Sequence, residues 1–266
     1  MMKNPKEVAE EAVEVFTSKA TQNAKRMLIL SFLAGVFIAF GAELSILVSF
    51  DLRDFSLGFS RFLAGSVFSF GLMLVVLTNS ELFTGNCLMI IPLLKGEINK
   101  KQFLKSWGIV YLGNLLGSLF FSFLIFFSGI YSNGIAGYAV EVAANKTNLT
   151  FLEAFLRGIA CNWLVTLAVW LSLTGTNMLE KMIGIYFPIM AFVASGFEHS
   201  IANMFFIPLG ILLKDFVTPQ TDITSLTIYG FFFKNLIPVT IGNIIGGAVF
   251  VGLIYWYVYL KEETIL

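Results

Sequence analysis

Six long apolar runs are the feature that most limits how this chain can fold. They cover residues 27–50, 62–94, 107–131, 155–174, 183–213 and 236–260. Each is as long as, or longer than, the roughly 20 residues that an α-helix needs to cross the hydrocarbon core of a bilayer. Only 13% of the residues are charged, whereas soluble domains keep about a quarter of theirs charged. We therefore predict an all-α integral membrane protein with six transmembrane helices.

Composition and charge exclude several classes of function. The 17 basic and 17 acidic residues give a net charge of +0 at pH 7, so no nucleic-acid partner is expected. Cys87 and Cys161 lie inside apolar runs, without the paired spacing of a disulfide or a metal site. Because the chain also has a single histidine, we expect no metal centre and no other cofactor.

The first 26 residues are polar and charged, and they lack the pattern of a cleavable signal peptide. Asn4, Pro5 and Glu7 are typical of a helix start, with a capping side chain, a first-turn proline and an early acid. Apolar residues then recur at helical spacing, at Val8, Ala12, Val15, Phe16 and Ala20. We predict an amphipathic helix within residues 1–26, lying on the membrane surface or on the helix bundle. An ordinary solvated helix is the alternative.

Lysine and arginine are unevenly distributed between the two sides of the membrane. An even number of spans puts both termini on one side, together with eleven of the 17 basic residues: Lys3, Lys6, Lys19, Lys25, Arg26, Lys95, Lys100, Lys101, Lys105, Lys181 and Lys261. Basic residues concentrate in cytoplasmic segments, so both termini are expected in the cytoplasm, including a short tail at residues 261–266. The polar segments 132–150 and 214–227 are then expected to be outer loops.

Three sequence motifs occur twice, in the same order. Spans two and five share E-L-F-T-G-N at 81–86 and E-H-S-I-A-N at 198–203, and spans three and six share G-N-L-L-G at 113–117 and G-N-I-I-G at 242–246. Spans one and four share F-L-A-G at 32–35 and F-L-R-G at 155–158. The offsets of 117 to 129 residues indicate two copies of a three-span unit, at residues 27–145 and 146–260. Because three is odd, the copies insert with opposite orientation, and such inverted repeats place their site at the midplane between interrupted helices, here helices 2 and 5.

His199 is the strongest candidate for a functional residue. It follows Glu198 in the fifth run, between Gly196 and a polar segment that favours a helix break. A lone histidine in a soluble core is more often a packing residue, but ionisable groups at membrane depth usually face a cavity or a pathway. We expect His199 to contact a passing solute or to exchange a proton with it. Thr84, in the matching segment of span two, offers a hydroxyl beside free backbone amides, which is a lining suited to anions.

Glu81 and Glu198 occupy matching places in the two repeats, and two interpretations stay open. They form a proton or cation site, or they are structural groups that bind the free amides of a broken helix or pair with a lysine. The structural interpretation is favoured because those amides need partners, and Lys146, just before span four, is a candidate partner. Asparagines at membrane depth, such as Asn162 and Asn243, are explained by hydrogen bonds between helices.

Four large apolar residues are positioned above and below these polar groups: Phe68, Leu72, Leu82 and Phe192. They either narrow a pathway or pack against neighbouring helices in the ordinary way. Sequence position alone does not separate these two roles, and packing is the default for each residue taken singly.

Three stretches resemble the formate/nitrite channel family: F-E-H-S-I-A-N-M-F at 197–205, N-S-E-L-F-T-G-N at 79–86 and I-P-V-T-I-G-N-I-I-G-G at 237–247. The similarity covers essentially the whole chain, and it is closest to the hydrosulfide-conducting branch. The resemblance implies a homopentamer of aquaporin-like protomers in the bacterial inner membrane, in which each protomer has its own pore.

The resemblance also implies residue roles. His199 is similar to the family's central histidine, and Thr84 to the hydroxyl on the loop that interrupts span two. The constriction residues it implies are Phe68, Leu72, Leu82 and Phe192. The supporting polar positions are Lys146, Asn162, Glu198 and Asn243, with Glu81 as the counterpart of Glu198. The substrates it implies are small monovalent anions of weak acids, namely formate, nitrite, hydrosulfide, and sometimes acetate or lactate.

These residue types suit a channel that passes such anions after protonation. A bare anion loses its hydration at great cost between apolar rings, whereas the neutral acid loses little. Lys146 and amide dipoles would attract the anion, and the apolar interior would raise its proton affinity, with water or His199 supplying the proton. One alternative is a neutral-solute pore of the water or glycerol type, although the Asn-Pro-Ala pair of such pores is missing. A membrane enzyme is the other, although one histidine makes no catalytic cluster.

Overall fold

The structure is a computed structural model that describes residues 3–52, 55–218 and 220–261. Those residues form ten helices: α1 (Pro5–Thr21), α2 (Ala24–Ser49), α3 (Leu57–Leu77), α4 (Gly85–Lys95), α5 (Lys100–Ser128), α6 (Asn133–Thr147), α7 (Phe151–Thr174), α8 (Met178–Ala194), α9 (Ser200–Leu213) and α10 (Gly230–Tyr259). A 3-10 turn, Lys214–Phe216, follows α9, and wider π-helical turns occur within α10. Of the predicted tail, residues 262–266 lie outside the described part.

The helices make six crossings, which confirms the predicted fold class. Five helices, α2, α3, α5, α7 and α10, are long and apolar enough to span a bilayer. The fifth crossing is made by two shorter helices, α8 and α9, in sequence. The second crossing is also discontinuous, because α3 ends at Leu77 and the chain resumes a helix only at Gly85, in α4. The second and fifth spans, which the sequence predicted to be interrupted, are therefore both broken.

The two interruptions have matching backbone geometry. Asn79 has a φ of 53° and Gly196 a φ of 73°, and both lie two residues before a glutamate of the repeated motif. Glycine adopts this left-handed region without steric cost, and asparagine is among the few other residues that tolerate it. The chain therefore turns out of the helix at the same point of each repeat.

Glycines of the third and sixth spans set the packing against spans one and four. A Cβ added at Gly117 would lie 2.0 Å from the Phe32 carbonyl oxygen, and one at Gly246 would lie 2.2 Å from the Ile159 carbonyl oxygen. Phe32 and Ile159 are therefore equivalent, and the predicted match of Phe32 with Phe155 is wrong by four residues. An error of about one helical turn keeps a residue on the same helix face, so the apolar pattern alone does not expose it.

The repeat also includes the helix that precedes each first span. Asn23 caps α2 and Thr150 caps α7, and these two residues are 127 apart, like Phe32 and Ile159. At the same offset, Lys19 near the end of α1 corresponds to Lys146 near the end of α6. We infer that α1–α5 and α6–α10 are the two repeats, each with a short helix followed by three spans.

Helix α1 lies on the bundle rather than in solvent. Its apolar face is buried through Val8, Ala9, Ala12, Val13, Phe16 and Ala20. That face joins a cluster that includes Leu88, Trp170 and Val251 from α4, α7 and α10. The predicted start is present, because the Asn4 side chain accepts hydrogen bonds from the amides of Lys6 and Glu7. Helix α1 therefore closes over the end of the bundle where α4 emerges.

The predicted outer loop at residues 132–150 is wrong, since most of it is helix α6. The segment contains glycines and polar residues, but it also carries a buried stripe of Ala136, Ala139, Val140, Ala143 and Ala144. This stripe packs on α9, where a Cβ at Gly210 would lie 2.2 Å from the Ala143 Cβ. The residues of this stripe recur at helical spacing, as those of α1 do, but the glycines and polar residues between them favoured a loop. Helix α6 carries Lys146 to the broken fifth span.

Candidate functional site

The two broken spans meet through one side-chain contact at the centre of the bundle. Thr84 Oγ1 lies 2.9 Å from His199 Nε2. Both residues are buried, and each belongs to the segment where its span is interrupted. The structure thus brings together the two residues that the sequence singled out, although they are 115 positions apart in the chain.

Hydrogen bonding fixes which imidazole nitrogen carries the proton. His199 precedes α9, and its Nδ1 accepts a hydrogen bond of 3.1 Å from the Ala202 amide. A neutral imidazole with an acceptor at Nδ1 has its proton on Nε2, so Nε2 donates to Thr84 Oγ1. The Thr84 hydroxyl makes no other hydrogen bond to the described residues. Its own hydrogen is therefore available to an incoming acceptor.

Two equivalent asparagines hold the broken backbones in place. Asn114 accepts from the Phe83 amide at 2.9 Å and donates to the Glu81 carbonyl at 2.9 Å. In the other repeat, Asn243 accepts from the Ser200 amide at 2.9 Å and donates to the Glu198 carbonyl at 3.0 Å. Each side chain thereby replaces partners that an unbroken helix would have supplied.

Asn162 links the two breaks. Its Nδ2 donates to the Thr84 carbonyl at 3.2 Å and to the Asn243 carbonyl at 2.7 Å. Its Oδ1 is buried without a hydrogen-bond partner among the described residues, as are Ser200 Oγ and Asn203 Oδ1. Asn162 therefore holds the segment that carries Thr84 against α10, through the carbonyls of Thr84 and Asn243.

Glu81 and Glu198 each bind a lysine and an asparagine. Glu198 lies 3.0 Å from Lys146 Nζ and accepts a bond of 2.6 Å from Asn203 Nδ2. Glu81 lies 3.0 Å from Lys19 Nζ and accepts a bond of 2.7 Å from Asn86 Nδ2. A buried carboxylate without such partners would be very costly. Of the two roles in the structural interpretation, the lysine pairing is present, whereas the free amides of Phe83 and Ser200 bind Asn114 and Asn243 rather than the glutamates.

Three residues of this network are missing from the sequence-based candidates. Lys19 and Gln22 reach Glu81 from the end of α1, with Gln22 Nε2 at 2.6 Å. Asn235 of α10 donates to the Lys146 carbonyl at 2.9 Å and accepts from Asn203 Nδ2 at 2.8 Å. For Asn235 a signal existed, a polar residue beside the sixth apolar run. For Lys19 the signal was that it occupies the same place in the first repeat as Lys146 does in the second. That match can be seen only once the repeats are aligned in the correct register.

Two cavities approach the Thr84–His199 contact from opposite sides. The cavity on the α6 side, about 350 Å³, is called the outer cavity after the orientation expected from the basic residues. It is lined by Arg61, Lys146, Glu198, His199, Phe68 and Phe192, among others. The inner cavity, about 320 Å³, lies on the α1 side, where Lys19, Lys181, Asn86, Leu72 and Leu82 contribute to its lining. Charged side chains line both cavities, whereas the centre between them has donors but no formal charge.

The four predicted constriction residues lie where the cavities end. Phe68 and Phe192 meet edge to face in the outer cavity, with ring centroids 5.5 Å apart, and the Phe192 ring stacks near His199 at 5.8 Å. Leu72 and Leu82 line the inner cavity and are buried. An apolar layer thus lies on each side of the central hydrogen-bond donors. A solute moving between the cavities must lose most of its water at these layers.

Comparison with known proteins gives consistent matches over nearly the full length. The profile of a family described as formate/nitrite transporter matches residues 6–257. The formate channel FocA of Escherichia coli (strain K12) is 41% identical over 271 residues, covering 97% of this chain and 95% of the relative. A probable formate transporter of Methanothermobacter thermautotrophicus is 41% identical over 282 residues, covering 98% of both chains.

Two solved structures have the same fold. One, described as a pentameric formate channel with formate bound, superimposes with a TM-score of 0.83 at 36% identity, covering 90% of this chain and 98% of the other. The second, described as an FNT family ion channel, gives a TM-score of 0.80 at 30% identity, covering 95% and 97%. The similar proteins are channels and transporters rather than enzymes.

Proposed function

This chain belongs to the formate/nitrite transporter family, and on that premise we propose that it conducts formate and similar monovalent anions of weak acids, each passing the centre of the pore as its neutral acid. Nitrite and hydrosulfide belong to the same chemical class. The similar proteins are named for formate, so formate comes first and the hydrosulfide branch has no support from them. We further propose a homopentamer in the bacterial inner membrane, with both termini in the cytoplasm.

The observation that carries this proposal is the Thr84–His199 contact between two cavities. His199 lines the outer cavity, and Leu82 and Gly85, which flank the segment of Thr84, line the inner one. Apolar layers of Phe68 with Phe192 and of Leu72 with Leu82 flank the contact. Donors without formal charge suit a small oxyanion or its acid. The flanking layers disfavour a charged solute, because burying a charge without a partner is far more costly than burying a neutral molecule.

The hydrogen bonds also constrain the source of the proton. His199 Nδ1 is engaged by the Ala202 amide, so forming an imidazolium would break the cap of α9. On the neutral ring, the only proton bound to nitrogen is the one on Nε2, and its loss would leave an imidazolate. We therefore assign to Thr84 the role of holding the anion by donation, with His199 orienting its hydroxyl, while water in the adjoining cavity supplies the proton. The negative charge stays in that cavity as hydroxide, so the solute passes the apolar layer as the neutral acid.

The proposal is tested by reconstituting the full chain in liposomes and imposing a formate gradient with a pH indicator inside. Entry of the neutral acid acidifies the lumen, above the background of protein-free liposomes. His199→Phe is expected to abolish or redirect transport while leaving oligomeric assembly unchanged by size-exclusion chromatography. Strictly electrogenic formate flux without lumenal acidification would overturn the protonation route, and unchanged flux in His199→Phe would remove His199 from the mechanism.

The neutral-solute alternative is tested on the same vesicles. A pore of the water or glycerol type would make them swell rapidly in a glycerol gradient, whereas a channel for weak-acid anions would leave the swelling rate at the protein-free level. Swelling without formate flux would favour the alternative over our proposal.

A further inference from the structure

Among the described residues, each cavity is lined by one cation that has no charged partner there. Arg61 lines the outer cavity and Lys181 the inner cavity. Neither side chain makes an ion pair or a hydrogen bond with residues 3–52, 55–218 and 220–261. Arg61 is exposed and Lys181 is partly buried, so both charges are accessible to a solute that enters the cavities.

The paired lysines contribute less to the field in the cavities. Lys146 and Lys19 each lie 3.0 Å from a glutamate oxygen, and Glu198 and Glu81 cancel most of their charge at a distance. Glu11, which also lines the inner cavity, is paired with Lys3. The net positive charge that an approaching anion meets is therefore that of Arg61 on one side and that of Lys181 on the other.

Both residues lie near the start of the first helix of a broken span, Arg61 in α3 and Lys181 in α8. On α3, residues Leu57, Ser60, Arg61, Ala64 and Phe68 share one face and line the outer cavity. Arg61 precedes the constriction residue Phe68 by seven positions, a rise of about 10 Å at 1.5 Å per residue. On α8, Lys181 lines the inner cavity, whereas Phe192, eleven residues later, lines the outer one. At the offset of 117 residues that relates Glu81 to Glu198, Lys181 corresponds to Ala64, which lines the outer cavity three residues after Arg61.

Helix stability does not account for these positions. Lys181 is the fourth residue of α8, and a cation in the first turn of a helix interacts unfavourably with the helix dipole. A functional explanation fits the geometry better. We propose that Arg61 and Lys181 are the residues that concentrate anions in the outer and inner cavities, each acting on entry from its own side. This inference rests on the proposed function.

Sided flux measurements test it. Arg61→Gln and Lys181→Gln are compared with the wild type in right-side-out and inside-out vesicles, by uptake of radiolabelled formate at ionic strengths near 10 mM and 300 mM. At low salt, Arg61→Gln is expected to raise KM about three- to tenfold for entry from the outer side only, with maximal flux kept, as one charge acting within about 10 Å implies. Lys181→Gln does the same from the inner side. Both effects shrink at high salt, where the Debye length falls below about 8 Å.

Charge-conserving variants and matched controls separate electrostatics from folding. Arg61→Lys and Lys181→Arg should keep the wild-type KM. Arg157→Gln and Lys101→Gln remove exposed cations that line neither cavity, and they should change nothing. An unchanged KM in Arg61→Gln and Lys181→Gln at low salt would overturn the inference while leaving the proposed function intact. A rise in KM in Arg61→Gln that persists in Arg61→Lys would also overturn the inference. Absence of formate, nitrite and hydrosulfide flux in the wild type would instead overturn the proposed function.

Discussion

The paired glutamates offer the sharpest test of how the broken helices are stabilised. We consider two changes in each repeat: Lys146→Met alone and with Glu198→Gln, and Lys19→Met alone and with Glu81→Gln. The single changes leave a carboxylate buried without its cation. The double changes replace the ion pair by neutral side chains of similar size, and the glutamine carbonyl retains an acceptor for the asparagine amide.

The expected magnitude follows from burial and from the remaining donors. The side chains of Glu198 and Glu81 are 5% and 1% exposed, and those of their lysines 15% and 12%. Breaking a buried pair costs about 3–5 kcal/mol. The amides of Asn203 and Asn86 still reach the carboxylates, so the lower end, about 3 kcal/mol, is expected for each single variant. The double variants should lie within about 1 kcal/mol of the wild type.

The assay is thermal unfolding of the detergent-solubilised protein, followed by tryptophan fluorescence, together with formate flux in liposomes. At about 2–4 °C per kcal/mol for a chain of this size, each single variant should lose about 6–12 °C and each double variant under about 4 °C. If the glutamates are structural, the double variants also recover flux. Comparable losses in the two repeats are expected because the two ion pairs have equivalent geometry.

Two outcomes would refute this reasoning. Single variants as stable as the wild type would show that the ion pairs are not needed to hold the breaks. Double variants that are stable but carry no flux would instead favour the other interpretation, in which the carboxylates bind a proton or cation during transport.

Two further predictions concern the central contact and the repeat register. Thr84→Val removes the hydroxyl at nearly constant volume and should lower maximal formate flux about tenfold, the equivalent of one hydrogen bond of about 1.4 kcal/mol. Thr84→Ser keeps the hydroxyl and should stay near wild type, so equal losses in both variants would contradict a role for the hydroxyl. Gly117→Ala and Gly246→Ala each place a Cβ about 2 Å from a carbonyl oxygen of the facing helix. Each should destabilise the folded protein by about 1–3 kcal/mol, measured as a lower melting temperature, and a loss in only one variant would contradict the equivalence of Phe32 and Ile159.

The sequence predicted the fold well because membrane depth makes polar residues conspicuous. Glu81, Glu198 and the asparagines that follow them stand out in apolar runs, so the broken spans and their pairing were visible without coordinates. Helix α6 was missed although its buried residues recur at helical spacing, because the glycines and polar residues of the segment favoured a loop. Lys19 was missed for a related reason, since the partner of Glu81 comes from a helix that lies outside the apolar runs.

Other details depend on three-dimensional geometry that no local pattern records. The proton position on His199 follows from the Ala202 amide, which reaches Nδ1 only because His199 caps α9. The absence of a charged partner for Arg61 and Lys181 within residues 3–52, 55–218 and 220–261 is also a property of the three-dimensional arrangement, not of the local sequence. The four-residue error in the first repeat motif has the same origin, because one helical turn preserves the face and only the glycine contacts give the register.

The repeat separates residues that build the pore from residues that act in it. Side chains that hold the broken spans come in equivalent pairs. Asn114 and Asn243 bind the broken backbones, and Glu81 and Glu198 each bind a lysine and an asparagine. The central positions do not come in such pairs: His199 corresponds to Leu82, and Thr84 corresponds to Ile201. A second imidazole in place of Leu82 would put two polar rings in one narrow passage and remove an apolar layer. Each half therefore supplies one donor, and the departures from symmetry coincide with the residues to which we assign the chemistry.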